Sequence, residues 1–280
     1  MGETNNVLKI DIVSVIRSKN PKLLKVIPKF VIRWVEKLIH QNEINDILER
    51  FGHLEGVDFA SATLKHLRVN YQVHGLEKID PNRRYIIVSN HPLGGLDGII
   101  LMEIFGGIFN KDVKFVVNDL LMLIDPLKPI FVPVNKYGRQ SVDIARQIHE
   151  AYSSNCQILY FPAGLCSRLI DGKIEDLEWK KSFLSQAIKY ERDIIPLFFE
   201  GKNSRFFYMI ANLRKFFGVK FNFELVLLPH EMFRQKRGKF EIFAGDPIPF
   251  EKFSKEGSVA YWTNYVREKV YSLKPKLWNR

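Results

Sequence analysis

The sequence predicts an α/β fold, in which a sheet is covered by helices on both faces and is preceded by a helical segment. Two observations support this class. After residue 68, short apolar runs rich in Val, Ile and Phe alternate with longer segments whose apolar residues recur every three to four positions. Residues 1–68 show only the second, helical pattern. Strands that alternate with helices are typical of a sheet packed against helices on both sides.

The individual elements follow from the same two patterns. Short apolar runs predict strands over 69–73, 84–89, 114–117, 129–134, 157–161, 193–199, 221–227 and 240–243. Helical spacing predicts helices over 98–108, 140–152, 177–190, 206–216 and 258–273, and earlier ones over 21–40, 43–51 and 59–67. We therefore expect an N-terminal helical segment over 1–68, followed by one α/β domain over 69–280.

Composition indicates a globular protein of a reducing compartment. With 46% hydrophobic residues in 280 positions, the chain is long enough to bury a large core. It contains no apolar run of about 18 residues, and its first residues lack the basic-then-apolar layout of a signal peptide. The two cysteines, Cys156 and Cys166, provide neither a disulfide framework nor a set of metal ligands. We therefore expect a cytoplasmic protein without a metal centre.

The net charge of +11 points to an anionic partner. Nucleic acid is disfavoured, because the sequence has no zinc-finger spacing, no RNP-like aromatic motif and no basic low-complexity arm. An anionic membrane surface is favoured by residues 21–39, which combine an apolar face that includes Trp34 with five Lys or Arg residues. The alternative is a helix whose apolar face packs on the core. In either case Pro28 is expected to kink or restart the helix.

One segment carries the strongest functional signal, the run Asn-His-Pro-Leu-Gly-Gly-Leu-Asp-Gly over 90–98. It lies between a predicted buried strand and a predicted helix, so His91 and Asp97 can fold back on one another across a turn. A carboxylate beside an imidazole fixes its tautomer and stabilises its protonated form, which makes a general base. The spacing alone is weak evidence, since Asp97 could instead cap the following helix while the glycines form a tight turn.

Further segments follow predicted strands, at the positions where α/β proteins usually place their sites. Segments 129–139, 160–168 and 195–205 each present cations after an apolar run, and a fourth block over 244–249 reads Ala-Gly-Asp-Pro-Ile-Pro. The cations are Lys136, Arg139, Arg168, Lys202 and Arg205. Each of them can either bind an anionic group or remain a solvated loop residue.

The order of these blocks resembles the glycerolipid acyltransferase superfamily, which includes the lysophosphatidic acid acyltransferases. That superfamily carries Asn-His-x4-Asp, a Phe-x-x-Arg-like block, Phe-Pro-Glu-Gly-Thr-Arg-Ser, an apolar strand with an internal proline, and a late Gly-x-Pro-Ile block. The counterparts in this sequence are 90–97, 134–136, 161–167, 194–199 and 245–249. The resemblance covers roughly residues 70–250 and implies a central mixed sheet flanked by helices.

Within the superfamily, the blocks look most like the bacterial haemolysin-type branch. Asn-His-Pro-x-Gly-Gly, Phe-Pro-Ala-Gly and Phe-Glu-Gly-Lys-Asn-Ser carry this closer resemblance. Members of the branch are associated with O-acylation of amino-acid lipids such as ornithine or glycine lipids. Two departures from the lysophosphatidic enzymes point the same way. The gap between His91 and Asp97 holds five residues instead of four. In the later block, Ala163 stands at the Glu position and Cys166 at the Arg position. The departures indicate a different acceptor rather than a different reaction.

The resemblance also implies a mechanism. His91 would act as general base on the hydroxyl of a lipid acceptor, a lysophospholipid or an N-acyl amino-acid lipid, with Asp97 orienting the imidazole. The acyl donor would be an acyl carrier protein or coenzyme A thioester, and no bound cofactor is implied. Backbone N–H groups near Gly164 or in the Gly94-Gly95 turn are candidates for stabilising the oxyanion. The anionic head of the acceptor would contact the five cations, and Gly164 would be a further substrate-binding residue. The cations are Lys136, Arg139, Arg168, Lys202 and Arg205.

Two other classes of function remain open from the sequence. A lipid hydrolase is disfavoured, because no Gly-x-Ser-x-Gly elbow occurs. A non-enzymatic lipid-binding protein would leave the His/Asp pair with a structural role only. Cys166 is interpreted as a small packing residue rather than a nucleophile. Under the favoured reading, a bacterial enzyme would lie peripherally on the cytoplasmic face of the inner membrane.

Overall fold

A computed structural model describes residues 9–19, 21–134, 142–219, 222–253 and 256–275. Within these ranges, seven strands form one sheet in the order β1-β9-β8-β2-β5-β3-β4, and β6 and β7 form a separate hairpin. The strands are β1 (Asn70–His74), β2 (Tyr85–Ser89), β3 (Val113–Asn118), β4 (Phe131–Val134), β5 (Gln157–Tyr160), β6 (Arg168–Ile170), β7 (Lys173–Glu175), β8 (Asp193–Phe199) and β9 (Lys239–Ala244).

The large sheet is mixed, as the sequence predicts. Strands β8, β2, β5, β3 and β4 are parallel to one another, β9 is antiparallel to β8, and β1 is parallel to β9. The carboxyl ends of β2, β5 and β8 therefore meet at one edge of the sheet. The loops that follow these three strands carry the predicted site blocks.

Helices cover both faces of this sheet. They are α1 (Ile12–Lys19), α2 (Pro21–Val26), α3 (Lys29–Leu38), α4 (Gln41–Phe51), α5 (Gly56–Leu67), α6 (Leu96–Ile108), α7 (Val142–Ser153), α8 (Ser182–Tyr190), α9 (Arg205–Phe216), α10 (Leu228–Arg234) and α11 (Val259–Ser272). Alternate residues of one strand point to opposite faces. Ile87 accordingly packs with α4, α5 and α6, whereas Ile86 and Val88 pack with α7, α8 and α11.

The N-terminal segment divides into two parts. Helices α4 and α5 contribute Ile47, Leu48 and Leu64 to the same core as the sheet. In contrast, α3 buries no residue, and its Phe30 and Trp34 are 72% and 60% exposed. Helices α2 and α3 are separate, as expected from Pro28, which lies in extended conformation before α3. In the described ranges, no helix has the length and apolar character needed to cross a membrane.

One predicted strand is wrong. Residues 221–227 form a mostly apolar run, but Phe223–Leu227 is a 3₁₀ helix that leads directly into α10. The reason is the buried Glu224, whose carboxylate pairs with Arg168 and Arg214 instead of projecting from a sheet. The helix predicted over 177–190 is also shorter than expected and begins at Ser182, because the indole of Trp179 bonds to Asp176.

Candidate active site

His91 and Asp97 are in contact at the carboxyl edge of the sheet. Strand β2 ends at Ser89 and α6 begins at Leu96, so both side chains lie at the two ends of a short turn. The Nδ1 atom of His91 lies 2.9 Å from Oδ2 of Asp97. Gly94 takes the left-handed conformation with φ 78°, which favours glycine and allows the turn to absorb five intervening residues.

The carboxylate of Asp97 is fully buried and is surrounded by donors. Its Oδ2 accepts a hydrogen bond from the N–H of Leu93 at 2.9 Å, and its Oδ1 accepts from the N–H groups of Gly95 at 3.1 Å and Gly98 at 3.0 Å. Burial acts to raise the pKa of Asp97. The positive charge and hydrogen bond of His91, with the N–H groups of Leu93 and Gly98, outweigh burial, so the pKa lies below its ordinary value. Asp97 is therefore ionised beside the imidazole at neutral pH.

The imidazole plane of His91 is set by aromatic packing. Its ring stacks on Phe161, with centroids 3.9 Å apart and an angle of 18° between the planes. Phe161 is in turn tilted against Phe115. A side chain at position 98 would crowd this pair, since a Cβ on Gly98 would lie 3.0 Å from Phe115 and 3.6 Å from Phe161. In the described ranges nothing hydrogen-bonds to Nε2 of His91, so this nitrogen can meet a substrate.

The main chain of His91 is held by a second aspartate, Asp176. Its Oδ1 accepts hydrogen bonds from the N–H of His91 at 3.1 Å and from the hydroxyl of Ser167 at 2.6 Å. Its Oδ2 accepts from the indole N–H of Trp179 at 2.9 Å. The N–H of Ser167 completes the connection by donating to the carbonyl of His91 at 2.7 Å. The loop after β5 therefore fixes the backbone of the histidine.

Sequence reasoning missed Asp176. It lies 85 residues beyond His91, in a segment that shows no motif. Burial raises its pKa, although the hydrogen bonds from Ser167, His91 and Trp179 and the charge of His91 act in the opposite direction. The only local signal is an acidic residue three positions before a tryptophan, which by itself indicates no site.

The end of β8 is bonded to the segment that carries His91 through the side chain of Asn90. The side-chain amide of Asn90 donates to the carbonyl of Phe199 at 2.9 Å and accepts from the N–H of Phe199 at 2.7 Å. Gly201 packs against the turn that carries the pair, because a Cβ there would lie 2.9 Å from Leu93. The blocks over 90–97, 161–168 and 195–205 therefore meet, as their order along the chain predicts.

The predicted cations are placed in different environments. Arg168 is buried, and its guanidinium donates to the carboxylate of Glu224 at 2.8 Å and to the carbonyl of Cys166 at 2.5 Å. Lys202 and Arg205, by contrast, are exposed at the start of the loop and helix that follow β8. Lys136 and Arg139 lie outside the described residues. Arg168 thus links the site loop to the 3₁₀ helix that contains Glu224. Lys202 and Arg205 face solvent.

Gly164 shapes the loop after β5. It has φ 64°, and its N–H donates to the carbonyl of Phe161 at 3.0 Å. This N–H is therefore engaged in a turn. A Cβ at Gly164 would lie 3.2 Å from Nζ of Lys180, an exposed cation. Lys180 is thus brought next to the site loop, although it lies outside the motif blocks of the sequence.

Cys166 lies behind this loop as a thiol. It is buried among Phe207, Tyr208 and Leu227. Burial raises the pKa of its thiol to about 11, so the reactive thiolate is scarce at neutral pH. This agrees with its interpretation as a packing residue. In the described ranges, no group of His, Cys, Asp and Glu residues could hold a metal ion.

Comparison with known proteins shows the family to which the chain belongs. A family model described as Acyltransferase matches residues 14–279. The chain therefore belongs to this acyltransferase family, and it is an acyltransferase. The resemblance drawn from the sequence blocks is confirmed, and a non-enzymatic protein is excluded.

Two relatives are similar over nearly the whole chain. A lyso-glycine lipid O-acyltransferase from Bacteroides thetaiotaomicron is 43% identical over 264 residues, which cover 94% of this chain and 97% of that protein. A protein of the same name from Phocaeicola vulgatus is 41% identical over 269 residues, 96% of each chain. Among solved structures, the 1-acyl-sn-glycerophosphate (LPA) acyltransferase PlsC from Thermotoga maritima matches with 18% identity and a TM-score of 0.49, covering 90% of this chain and 95% of that one.

Proposed function

We propose that this protein transfers a fatty acyl chain from an acyl thioester to the hydroxyl of a lyso-glycine lipid, with His91 as the general base. The observation that carries the chemistry is the contact between Nδ1 of His91 and the buried, ionised Asp97 at 2.9 Å. The acceptor is inferred from two relatives of that name, each more than 40% identical over at least 94% of this chain.

The mechanism follows from the orientation of the imidazole. Asp97 accepts a hydrogen bond from Nδ1–H of His91, which leaves Nε2 as the basic nitrogen. Nε2 removes the proton from the acceptor hydroxyl, and the hydroxyl oxygen attacks the carbonyl carbon of the thioester. The imidazolium formed in this step is stabilised by the negative charge of Asp97. When the C–S bond breaks, the proton passes from Nε2 to the departing thiolate, and the new ester is released without an acyl-enzyme.

The oxyanion of the tetrahedral intermediate requires nearby donors. The N–H of Gly164 is bonded to Phe161 and that of Gly95 to Asp97. In the described ranges the N–H of Gly94 has no partner, and it lies in the turn between His91 and Asp97. Of these three glycine N–H groups, that of Gly94 is left to bind an oxyanion, and we propose it as the donor.

The acceptor's carboxylate head is expected to contact exposed cations at the same edge of the sheet. Lys202 and Arg205 meet this requirement, and Lys180 lies beside the loop after β5. Lys136 and Arg139 remain candidates from the sequence. Arg168 is buried and already paired with Glu224, so its role is to hold the loop rather than to bind the head directly.

A lipid acceptor also implies a membrane surface. Helix α3 presents Phe30 and Trp34 to solvent, beside the exposed cations Lys29, Arg33 and Lys37. Such a face lies in the lipid interface with its apolar side inward. We infer a peripheral enzyme on the cytoplasmic face of a bacterial inner membrane, where acyl carrier protein or coenzyme A thioesters are at hand.

The test is an acyl-transfer assay with a choice of acceptors. The purified protein is given a labelled acyl thioester, on acyl carrier protein or coenzyme A, and a lyso-glycine lipid, a lyso-ornithine lipid or lysophosphatidic acid. We expect labelled diacyl product from the lyso-glycine lipid at the highest rate. Preference for lysophosphatidic acid would overturn the acceptor, and release of free fatty acid without an acceptor would point to a hydrolase. Comparing the lipids of cells with and without the protein shows the acceptor's product directly.

A further inference from the structure

Helix α9 exposes an apolar face that the mechanism does not use. Its exposed apolar side chains are three or four positions apart and therefore lie on one side of the helix. Phe216 and Phe217, at its carboxyl end, are 82% and 68% exposed. Large exposed apolar patches mark interaction surfaces on soluble proteins. The members of this face are Phe206, Met209, Leu213, Phe216 and Phe217.

The neighbouring 3₁₀ helix extends this face. Phe223 and Val226 are also exposed. The two helices are held together by the ion pair between Arg214 of α9 and Glu224 of the 3₁₀ helix, 2.9 Å apart. We call the exposed apolar side chains of α9 with Phe223 and Val226 the α9 surface.

The rim of the α9 surface is basic. Helix α9 contains no acidic residue. Arg205 at its start, Lys215 near its end and Lys202 in the preceding loop are exposed. The acid of the adjacent 3₁₀ helix, Glu224, is buried and neutralised by two arginines. An apolar centre with a cationic rim complements an anionic lipid surface. A second copy of the chain is disfavoured as occupant, because a symmetric contact would bring the same cations against each other.

The opposite side of α9 packs behind the site loop that follows β5. Its buried Phe207 and Tyr208 pack with Cys166 of the loop after β5. The chain just before α9 packs against the catalytic turn through Gly201 and Leu93. The end of α3 lies in the same region, since Leu38 packs against the cluster of Phe207 and Leu227. A membrane bound to the α9 surface would therefore lie at the edge of the site.

We propose that the α9 surface docks on an anionic bilayer and that the lipid acceptor enters the site from that bilayer. This inference rests on the proposed function for the nature of the acceptor, but the docking itself can be measured without turnover. The α9 surface would thus be a second membrane contact, separate from α3. Its aromatic side chains would insert into the bilayer, and the nearby cations would contact lipid head groups.

The first measurement is vesicle binding by the full-length protein. The double variant Phe216→Ser/Phe217→Ser is compared with wild type on phosphatidylcholine vesicles with and without phosphatidylglycerol. Removing two inserted aromatic side chains should lower the bound fraction on anionic vesicles by about tenfold or more. Because both side chains are exposed, an unchanged melting temperature and circular dichroism spectrum are expected.

The matched control is Val142→Ser/Tyr261→Ser. These side chains are 86% and 59% exposed on α7 and α11, the helices that cover one face of the sheet. The control should bind vesicles like wild type. Equal binding by Phe216→Ser/Phe217→Ser and wild type would overturn the proposal. So would a dimer in wild type that the α9 variant breaks, since the surface would then be occupied by a second copy.

Turnover separates the failure of this inference from the failure of the proposed function. The α9 variant should lose activity on acceptor held in anionic vesicles and keep it on the same acceptor in detergent micelles. If wild type acylates no acceptor in micelles, the proposed function fails while the binding result still stands. If wild type is active and the α9 variant matches it in vesicles, the docking proposal fails alone.

Discussion

Two buried aspartates contact His91. They bond to different atoms of the histidine, and their pKa values are shifted in opposite directions. Asp97 bonds to the side chain of the histidine and to three N–H groups of its own turn. Asp176 bonds to the backbone N–H of the histidine and to neutral donors on Ser167 and Trp179. The pKa of Asp97 is lowered and that of Asp176 is raised, although both are almost completely buried.

The comparison shows that burial alone does not decide how a carboxylate behaves. Burial penalises the charged form in both places, and the contacts decide the outcome. The imidazole, which becomes cationic, stabilises the charge of Asp97 directly, whereas the bonds to Asp176 do not overcome its desolvation. We therefore assign Asp97 to the chemistry of His91, and Asp176 to positioning the backbone that carries it.

The largest effect is expected for His91→Ala. Loss of a general base slows transfer by about 10²–10⁴-fold. The fold should survive, because Asp176 and Ser167 bond to backbone atoms at position 91. Acyl transfer and thermal melting are measured together, with His74→Ala, an exposed histidine on β1, as control. Full activity in the His91 variant would remove the base from the mechanism.

Asp97→Asn comes next. The amide keeps the size of the side chain but removes its charge, so the imidazolium loses its stabilising partner and Nδ1 can meet a donor. We expect transfer to fall by about a hundredfold or more. Because the amide nitrogen also faces backbone N–H groups, unfolding free energy should fall by about 1–3 kcal/mol. If activity stays at the wild-type level while stability falls, Asp97 serves only the turn.

A smaller effect on activity is expected for Asp176→Asn. An amide oxygen can still accept from Ser167 and His91, but the amide nitrogen cannot accept from the indole of Trp179. Stability should fall by about 1–3 kcal/mol, the cost of a buried unpaired donor, while activity falls less than in Asp97→Asn. Chemical denaturation and steady-state assays measure the two. A loss of activity as large as that of Asp97→Asn would contradict the division of roles.

The last and smallest effect is the pH dependence of stability. Asp97 has a folded pKa below its ordinary value of 3.8, so its contribution is present above 3.8 and is lost as the pH falls through the folded pKa. Asp176 has a folded pKa above 3.8, so its contribution is full below 3.8 and is lost as the pH rises through the folded pKa. Denaturation between about pH 2 and 7 should give opposite slopes for the two variants relative to wild type. Parallel slopes would contradict the assigned directions.

Much of the fold follows from the sequence because its elements have strong local patterns. The strand predicted over 193–199 is found as β8 (Asp193–Phe199), and the helix predicted over 206–216 begins one residue earlier. The strand predicted over 221–227 is wrong, because the apolar run fits a strand but Glu224 is held by arginines from other parts of the chain. Local pattern cannot reveal a pairing between residues that lie 56 positions apart, as Arg168 and Glu224 do.

The sequence by itself determined the pairing of His91 with Asp97, the order of the blocks and the family. These features depend on neighbouring residues, on the conformational freedom of Gly94 and on motif spacing, all of which are local. The tertiary structure alone decided that Asp176 holds the histidine backbone, that Arg168 is buried against Glu224, and that Lys180 lies beside the site loop. Those outcomes depend on which distant segments the parallel strands bring together, and on how much water is left around each charge.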